Sequence, residues 1–352
     1  MKRRAPRALI VLAVATAMLV AACGGSSKSS TTKSEGNASQ PVTVRLGYFP
    51  NVTHATALVG VEQGIFARAL GTDRLQTQTF NAGPAAVEAL LSGAVDATYI
   101  GPNPTINAFV RSQGKAVRIV SGATSGGAAL VVKPSIASPA DLKGKKLASP
   151  QRGGTQDVAL RYWLGSQGLK TDVEGGGDVS IVPQENAQTL ETFRSGAIDG
   201  AWVPEPWAAR LVQEGGGKVL VDERDLWPEG RFVTTQLVVR TGFLDAHPDA
   251  VRRPLEGQFE ANDFVNQHAA EAQAAVNDGI ARVTGKKLAD SVVRASWARM
   301  SFTNDPVAAS LAASAEHAEK VGLLEHVDLR GIYDLRLLND VLASRGQQAI
   351  AA

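Results

Sequence analysis

The sequence predicts an α/β protein of two similar lobes, with mixed sheets flanked by helices and a helical carboxyl-terminal tail. The chain of 352 residues is longer than one hydrophobic core usually supports, which favours two lobes. Short apolar runs of the strand type alternate with helix-like segments, as they do in α/β sheets. A unit of helix, turn, strand and loop also occurs twice, at 92–104 and again 103 residues later at 195–207. The repeat predicts that each lobe presents a loop at the end of an equivalent strand.

The two copies of the repeat share their first half and differ in their second. Each begins Ser-Gly-Ala, followed by a hydrophobic residue and an aspartate, Asp96 or Asp199. We expect both aspartates to fix the turn into the strand. The copies then end in proline-bounded loops, which hold Asn103 in the first and Glu205 in the second. The loops are therefore where we expect the cleft between the lobes to become asymmetric.

The amino terminus has the pattern of an export signal. Residues 1–22 carry four basic residues and an apolar run that is too short to span a membrane comfortably. The run ends in Leu-Val-Ala-Ala before Cys23, the only cysteine of the chain. This resembles the bacterial lipoprotein processing signal, which implies that Cys23 is lipidated. Residues 23–40 are mostly small and polar and predict a flexible tether, so we expect an exported protein anchored by lipid to the cell membrane, outside the cytoplasm.

The composition argues against a nucleic-acid partner and excludes disulfide bonds within the chain. The four basic residues of 1–22 account for the excess of basic residues, because the rest of the chain holds 32 basic and 34 acidic residues. The sequence contains no block of basic residues of the kind that binds nucleic acid. Because Cys23 is the only cysteine, disulfide bonds do not stabilise the fold, and the hydrophobic core must do so.

The order of the predicted elements places the second lobe inside the first. The apolar strands 128–133 and 232–240 flank a second round of strand and helix alternation. We expect the chain to cross between lobes near these two strands. The lobe boundaries that follow are 42–127 and 241–352 for lobe 1, and 128–240 for lobe 2. From 249 to 346 the sequence is alanine-rich with helical periodicity, which predicts the helical tail.

Motifs of catalysis are missing from the sequence. It contains no Gly-x-Ser-x-Gly elbow, no His-Glu-x-x-His pair and no Cys-x-x-Cys, and its five histidines are scattered. Residues 279–288 superficially resemble a phosphate loop, but the spacing is one residue too long and the final Ser or Thr is absent, so we expect ordinary helix there. We therefore expect a binding protein and not an enzyme, and we expect it to use no cofactor and no metal ion.

Loops at strand ends are the candidate ligand-binding elements, because several run straight into helices whose amide groups favour a small anion. The loop 151–156 is the strongest case: Arg152 could pair with an anion and Thr155 could cap the helix, although an outward arginine on a solvated turn is the alternative. Glu205 would suit an ammonium or hydroxyl group, and Trp207 could pack on an alkyl chain. Two alternatives stay open, since Tyr48 and Phe49 could instead pack the lobes and Asn103 could instead cap a helix. His54 is expected to be a cap or surface residue.

A set of motifs resembles the solute-binding lipoproteins of ABC importers, within them most of all the nitrate, sulfonate and taurine branch. The motifs are Gly-Tyr-Phe-Pro-Asn at 47–51, Phe-Asn-Ala-Gly-Pro at 80–84, Asp-Leu-Lys-Gly-Lys-Lys-Leu-Ala at 141–148 and Ala-Trp-Val-Pro-Glu-Pro-Trp at 201–207. The resemblance implies a two-lobed periplasmic-binding-protein fold of type II that closes on its ligand by a hinge. It further implies a cleft lined by Tyr48, Phe49, Asn51, Gly83, Pro84, Asn103, Thr124, Gly153, Thr155 and Glu205.

The resulting hypothesis is a monomeric protein that captures a small sulfonate, with or without an amine as in taurine. It would deliver this anionic ligand to a membrane permease driven by a cytoplasmic ATPase. Two other functions stay open. One is a nitrate or bicarbonate binder of the same family, against which the large aromatic residues and Glu205 count, because they predict a space too roomy and too acidic for such an ion. The other is an enzyme of the pyrimidine-synthesis type on the same fold, whose cysteine-rich motif is absent here.

Overall fold

The computed structural model describes residues 40–351. The predicted signal peptide, the lipidation of Cys23 and all but the last residue of the tether lie outside the described residues. The strands are β1 (Thr43–Tyr48), β2 (Arg74–Thr79), β3 (Ala97–Ile100), β4 (Val117–Gly126), β5 (Ala128–Val132), β6 (Lys146–Ser149), β7 (Ser180–Pro183), β8 (Gly200–Pro204), β9 (Lys218–Asp222), β10 (Val233–Arg240) and β11 (Met300–Phe302).

The helices complete the list of elements. They are α1 (Ala55–Glu62), α2 (Ile65–Leu70), α3 (Gly83–Ser92), α4 (Pro102–Arg111), α5 (Thr155–Ser166), α6 (Asn186–Arg194), α7 (Trp207–Gln213), α8 (Thr241–Ala246), α9 (Pro248–Gln267), α10 (Ala269–Thr284), α11 (Asp290–Trp297), α12 (Ala308–Lys320) and α13 (Arg336–Ser344). Within residues 40–351, no helix is both long enough and apolar enough to cross a membrane.

The first lobe is built on a six-stranded mixed sheet with the order β11-β4-β10-β3-β1-β2. Strand β1 pairs in parallel with β2 and β3, while β10 runs antiparallel to β3 and β4. Buried side chains such as Leu46, Phe66 and Leu237 pack this sheet against the flanking helices. The parallel strands direct their carboxyl ends to one edge, where the loops 49–54 and 101–104 begin.

The second lobe is built on a five-stranded mixed sheet with the order β7-β6-β8-β5-β9. Strand β6 pairs in parallel with β7 and β8, and β5 runs antiparallel to β8 and β9. Trp202 is fully buried in this lobe, and its ring centroid lies 5.9 Å from that of Trp163. Two mixed sheets with helices on their faces are the fold class that the sequence predicts.

The repeat forms the same local structure in both lobes. Gly93 and Gly196 end the preceding helices with positive φ angles of 75° and 79°, a conformation that glycine adopts without strain. The carboxylate of Asp96 accepts a hydrogen bond of 3.0 Å from the N–H of Arg45, and that of Asp199 accepts one of 2.8 Å from Lys146. Each aspartate therefore ties its turn to the start of a neighbouring strand, as expected.

The chain passes between the sheets at two places. Only Gly127 separates β4 from β5, and the φ angles of Gly126 and Gly127 are 81° and 82°. The return runs through 3-10 helices at Glu223–Leu226 and Pro228–Gly230 into β10. Strand β10 belongs to the first sheet, whereas residues 128–240 were predicted to form the second lobe. The prediction for this strand was wrong because an apolar run identifies a buried strand but does not show which sheet the strand joins.

The carboxyl-terminal segment is mostly helical, as expected, but it also contains β11 at the edge of the first sheet. Helices α9 and α10 pack on α1, and α13 packs on α9. Helix α11 instead contacts α7, and α12 contacts both α4 and α5. The tail therefore touches both lobes rather than the first lobe alone.

Candidate functional site

A small cavity of about 50 Å³ lies between the two lobes, at the carboxyl ends of β1, β3, β6 and β8. Both lobes contribute to it, and the first turns of four helices, α3, α4, α5 and α6, reach its wall. We call it the inner cavity. Its lining residues are Phe49, Asn51, Thr53, His54, Asn81, Ala82, Gly83, Pro84, Gly101, Pro104, Pro150, Gln151, Gly154, Thr155, Gln156, Asn186, Pro204, Thr234 and Thr235.

The four helix starts at the inner cavity lack side-chain caps. The capping positions are Ala82, Gly101, Gly154 and Glu185, and none of them makes a side-chain hydrogen bond to its helix. The first N–H groups of a helix have no partner within the helix, and the helix dipole places partial positive charge there. Pro84, Pro102 and Pro104 have no N–H, so α3 and α4 offer fewer donors than α5 and α6, but the four starts together still direct free amide groups towards one small space, as an anion-binding site requires.

Glycines allow these helix starts to approach one another. A Cβ atom at Gly83 would lie 2.2 Å from Cγ of Pro104, and one at Gly101 would lie 2.4 Å from Oγ1 of Thr155. Gly101 belongs to the first lobe and Thr155 to the second, so the lobes touch at this point. A side chain at Gly101 would hold the two lobes apart.

The inner cavity is lined by no Asp, Glu, Lys or Arg of the described chain. His54 is its one titratable lining residue, and burial lowers the pKa of this imidazole to about 3, so it is neutral at pH 7. Its Nδ1 accepts a hydrogen bond of 3.3 Å from the N–H of Phe49, which leaves the proton on Nε2. The two rings stack with centroids 4.4 Å apart. An anion in this space would be bound by neutral donors alone.

His54 is neither a surface residue nor a side-chain cap, contrary to the prediction from the sequence. The residue is 3% exposed, so it is not a surface residue, and its side chain makes no capping bond to α1. The polar sequence Asn-Val-Thr-His after β1 looked like a solvated helix start. It is instead part of the buried wall of the inner cavity, because residues 52–54 pack against β4, β10 and α11.

Two buried polar atoms at the inner cavity have no hydrogen-bond partner within residues 40–351. They are Oδ1 of Asn186 and Oγ1 of Thr235. Leaving such an atom unsatisfied costs about 1–3 kcal/mol, so both are suited to a polar ligand. Neither residue was identified from the sequence. The available signal was weak: Thr235 is one of a few polar residues in the apolar run of β10, and Asn186 is the first residue of α6.

A larger space, which we call the outer cavity, adjoins the inner one and has a volume of about 500 Å³. The two cavities share Asn51, Asn81 and Asn186. At their junction the indole Nε1 of Trp207 donates a hydrogen bond of 3.0 Å to Oδ1 of Asn51, which links the second lobe to the first. The other lining residues are Pro50, Phe80, Glu185, Ala187, Pro206, Arg210, Glu214, Ile280, Thr284, Lys286, Lys287, Leu288 and Ala289.

The structure brings half of the sequence-predicted site residues to these cavities. Those on the inner cavity are Phe49, Asn51, Gly83, Pro84 and Thr155, and Trp207 lines the outer one. Tyr48 lies in the core of the first lobe, where burial raises the pKa of its phenol. Nδ2 of Asn103 donates to the carbonyl oxygen of Ser314 at 3.1 Å, and Oγ1 of Thr124 donates to that of Thr53 at 2.7 Å. These three hold elements together and do not line a cavity.

The loop 151–156 lines the inner cavity with Gln151, Gly154, Thr155 and Gln156 but not with its arginine. Arg152 forms a two-bond pair with Glu174, at 3.1 and 2.8 Å, and its side chain is 46% exposed. The N–H of Gly153 donates to Oδ2 of Asp157 at 3.0 Å. The outward arginine is thus the arrangement present, and neither residue lines the inner cavity.

Glu205 is completely buried, but it faces the tail rather than the cavity. Its carboxylate accepts hydrogen bonds from Nη1 of Arg299 at 2.7 Å, from Oγ of Ser296 at 3.0 Å and from the N–H of Ala209 at 3.0 Å. These contacts join the residue after β8 to α7, to Ser296 within α11 and to Arg299 just after it. The negative charge of the Glu205 carboxylate is therefore compensated by Arg299 and two further donors, without a ligand.

No group of three or more His, Cys, Asp or Glu residues that could hold a metal ion occurs in the described part of the chain.

Comparison with known proteins gives the family and the fold. The sequence profile described as the NMT1-like family matches residues 37–277. The taurine-binding periplasmic protein of Escherichia coli is 30% identical over 225 residues, which cover 63% of this chain and 66% of that protein.

Two solved structures share the fold. The nitrate-binding protein NrtA of Synechocystis PCC 6803 superposes with a TM-score of 0.75 at 16% identity, covering 87% of this chain and 89% of that one. The alkanesulfonate-binding protein SsuA of Xanthomonas axonopodis pv. citri, bound to MOPS, gives a TM-score of 0.68 at 20% identity, with coverages of 82% and 96%. The predicted periplasmic-binding-protein fold is confirmed.

Proposed function

The chain belongs to the NMT1-like family, and we propose that it is the solute-binding component of an ABC importer. In this proposal the inner cavity holds the anionic head group of a small sulfonate, and the chain hands this ligand to a membrane permease. The chain performs no chemistry on its ligand. The relatives named above are binding proteins, and the sequence motifs of catalysis are missing.

The proposal is carried by one observation, the convergence of four uncapped helix starts on a space without charged side chains. Such a site compensates the charge of an anion with amide dipoles. It needs no basic residue, which agrees with the position of Arg152 outside the cavity. A sulfonate group has three acceptor oxygens and keeps its charge at any physiological pH. It therefore suits an array of neutral donors.

The proposed polar contacts come from both lobes. The first lobe supplies the N–H of Gly83 and the hydroxyl of Thr235, and the second supplies the N–H groups of Thr155 and Gln156 and the amide of Asn186. The amide of Asn186 can turn by half a rotation to present either its oxygen or its NH₂ group. Because donors lie on both sides, a bound anion would bridge the lobes and favour their closed arrangement.

A second candidate ligand is a small inorganic anion such as nitrate or bicarbonate. The volume of about 50 Å³ favours it, since the inner cavity alone is suited to a group of only a few atoms. The acidic surroundings that counted against these anions in the sequence analysis are not part of the cavity, because Glu205 is paired with Arg299. Only the adjoining outer cavity favours a ligand with an organic part.

The remaining parts of the proposal concern the cell. We place the protein outside the cytoplasm, anchored to the membrane through lipidated Cys23, with a permease and its ATPase as partners and a monomer as the working form. The export pattern of residues 1–22 and the names of the periplasmic relatives support this placement. Detection of a lipid-modified Cys23 by mass spectrometry of the membrane fraction would test the anchor, and an unmodified cysteine would contradict it.

Isothermal titration calorimetry of the full chain tests the ligand class. The panel is ethanesulfonate, taurine, nitrate and bicarbonate, each in a chloride-free buffer. We expect ethanesulfonate to bind and the Thr235→Val variant to bind it more weakly. Thr241→Val is the matched control, because Oγ1 of Thr241 is also buried and without a partner in the described structure but lies away from the cavity. Binding of nitrate or bicarbonate without any sulfonate would support the second candidate.

A further inference from the structure

We propose that Asp157 and Arg161 form a positioning pair. Asp157 holds the start of α5 in place, and Arg161 keeps the charge of that carboxylate from repelling a bound anion. The inference rests on the proposed function of the inner cavity. Neither residue lines that cavity, so neither is a ligand contact. The affinity for an anion would then follow the net charge of this buried pair.

The first turn of α5 differs from those of the other three helices at the inner cavity. Asp157 is the third residue of α5, whereas α3, α4 and α6 have no acidic residue in their first turns. A carboxylate in the first turn of a helix compensates the partial positive charge of the helix start. An unpaired Asp157 would therefore weaken the attraction of this helix start for an anion.

The carboxylate of Asp157 fixes the backbone beside the inner cavity. It is fully buried and accepts hydrogen bonds from Oγ of Ser149 at 2.7 Å and from the N–H of Gly153 at 3.0 Å. Ser149 ends β6, and Gly153 lies in the turn before α5. The next two residues, Gly154 and Thr155, line the cavity. Asp157 thus ties the strand, the turn and the helix to one another.

Arg161 compensates the charge of this carboxylate. It lies one turn further along α5, its side chain is 1% exposed, and its Nε donates a hydrogen bond of 3.0 Å to Oδ2 of Asp157. A guanidinium keeps its positive charge at every physiological pH, so an ionised Asp157 and Arg161 together have no net charge. The carboxylate can then fix the turn without repelling an anion in the inner cavity.

Stability alone is a weak reason for this pair. Nη1 of Arg161 donates to the carbonyl oxygen of Asp172, but its Nη2 has no hydrogen-bond partner within residues 40–351. Burying two charges costs desolvation energy that their attraction often does not exceed, and apolar residues of similar volume are often as stabilising. A buried acid beside an anion site, in contrast, requires a buried base.

Four proteins that differ in the charge of the pair test the inference. The unmodified chain and the double variant, Asp157→Asn with Arg161→Met, have no net charge there. Asp157→Asn alone has one positive charge, and Arg161→Met alone has one negative charge. Calorimetry with ethanesulfonate at pH 8 should give the tightest binding for Asp157→Asn and the weakest for Arg161→Met, with the two neutral forms between them. Each step of charge should change the affinity by about fivefold or more, because the charge lies near the start of a helix that reaches the cavity.

The order of affinities separates an effect of charge from a loss of structure. Asp157→Asn leaves Arg161 buried without its partner, so urea unfolding should show a less stable protein although it binds the anion more tightly. If the pair served structure alone, the unmodified chain would bind most tightly and all variants more weakly. That result, or equal affinities in all four proteins, would overturn the inference. If Arg161→Met does not fold, the order of the other three proteins decides.

Arg253→Met is the matched control, because it removes the partner of a second, mostly buried carboxylate. Nη1 of Arg253 donates to Oδ2 of Asp73 at 2.6 Å, and the side chain of Asp73 is 7% exposed. Asp73 precedes β2, at the opposite end of the first sheet from the inner cavity. The control should keep its affinity within about twofold, because charges that far apart are largely screened. A loss as large as that of Arg161→Met would overturn the inference.

The outcome for the unmodified chain separates this inference from the proposed function. If ethanesulfonate does not bind, the same proteins are titrated with nitrate, since the argument from charge holds for either anion. Failure of both anions to bind the unmodified chain would overturn the proposed function. Binding in an order that does not follow the charge of the pair would overturn the role of Asp157 and Arg161 and leave the proposed function intact.

Discussion

Replacement of Glu205 by glutamine should destabilise the protein far more than it affects ligand binding. The carboxylate is fully buried and accepts bonds from Arg299, Ser296 and the N–H of Ala209. Glutamine keeps an acceptor for two of these donors but removes the charge opposite Arg299. Loss of one partner from a buried pair costs about 3–5 kcal/mol when the other charge is left uncompensated. Here Arg299 is 22% exposed and Nε lies 3.8 Å from Asp222, which lowers the expected loss to about 2 kcal/mol.

Urea unfolding followed by circular dichroism measures this loss. With an unfolding entropy of about 2.1 cal/mol/K per residue over roughly 310 folded residues, about 2 kcal/mol corresponds to a fall of roughly 3 °C in melting temperature. Glu174→Gln is the control, because it removes one charge from the exposed pair with Arg152 and should leave the unfolding midpoint unchanged. If Glu205→Gln unfolded at the same urea concentration as the unmodified chain and lost ligand affinity, Glu205 would be a ligand group and our placement of it would be refuted.

Three further outcomes follow from the site. Thr235→Val should weaken ethanesulfonate binding by about tenfold or more, since a hydrogen bond to a charged group contributes about 1.5–3 kcal/mol, and calorimetry with Thr241→Val beside it measures this. Arg152→Ala should leave that affinity within about twofold, because the guanidinium lies outside the cavity; a tenfold loss would place it at the ligand. The pKa of His54 is lowered to about 3, so the unfolded chain binds the proton more readily and stability falls as the pH falls from about 6.5 towards 3. His54→Asn should make this pH dependence less steep in urea titrations, and an unchanged slope would show that His54 is not the group responsible.

Local features of the fold could be predicted from the sequence because short-range geometry determines them. Gly93 and Gly196 end helices with a positive φ, and Asp96 and Asp199 bond a neighbouring strand, so the repeat marks the same turn twice. Loops at 49–54, 101–104 and 151–154 were also predicted at strand ends, since each follows a strand and precedes a helix. That these loops bind a ligand stays a prediction.

Long-range packing explains what the sequence did not predict. Glu205 looked available for a ligand because Arg299, its partner, lies 94 residues further along the chain. Thr235 was missed because the register of β10 against β4 contains several irregularities, so alternation along the strand does not show which side chain reaches the cleft. The strands β9 and β11 were not predicted either, and β11 consists of only three residues.

A crystal structure of the full chain with bound hexanesulfonate tests the central claim most directly. We predict the sulfonate in the inner cavity, with oxygens about 3 Å from the N–H groups of Gly83 and Thr155 and from the hydroxyl of Thr235, and no charged side chain in contact with it. The alkyl tail should lie in the outer cavity beside Trp207. A sulfonate bound to Arg152, or one bound outside the space between the lobes, would contradict the account.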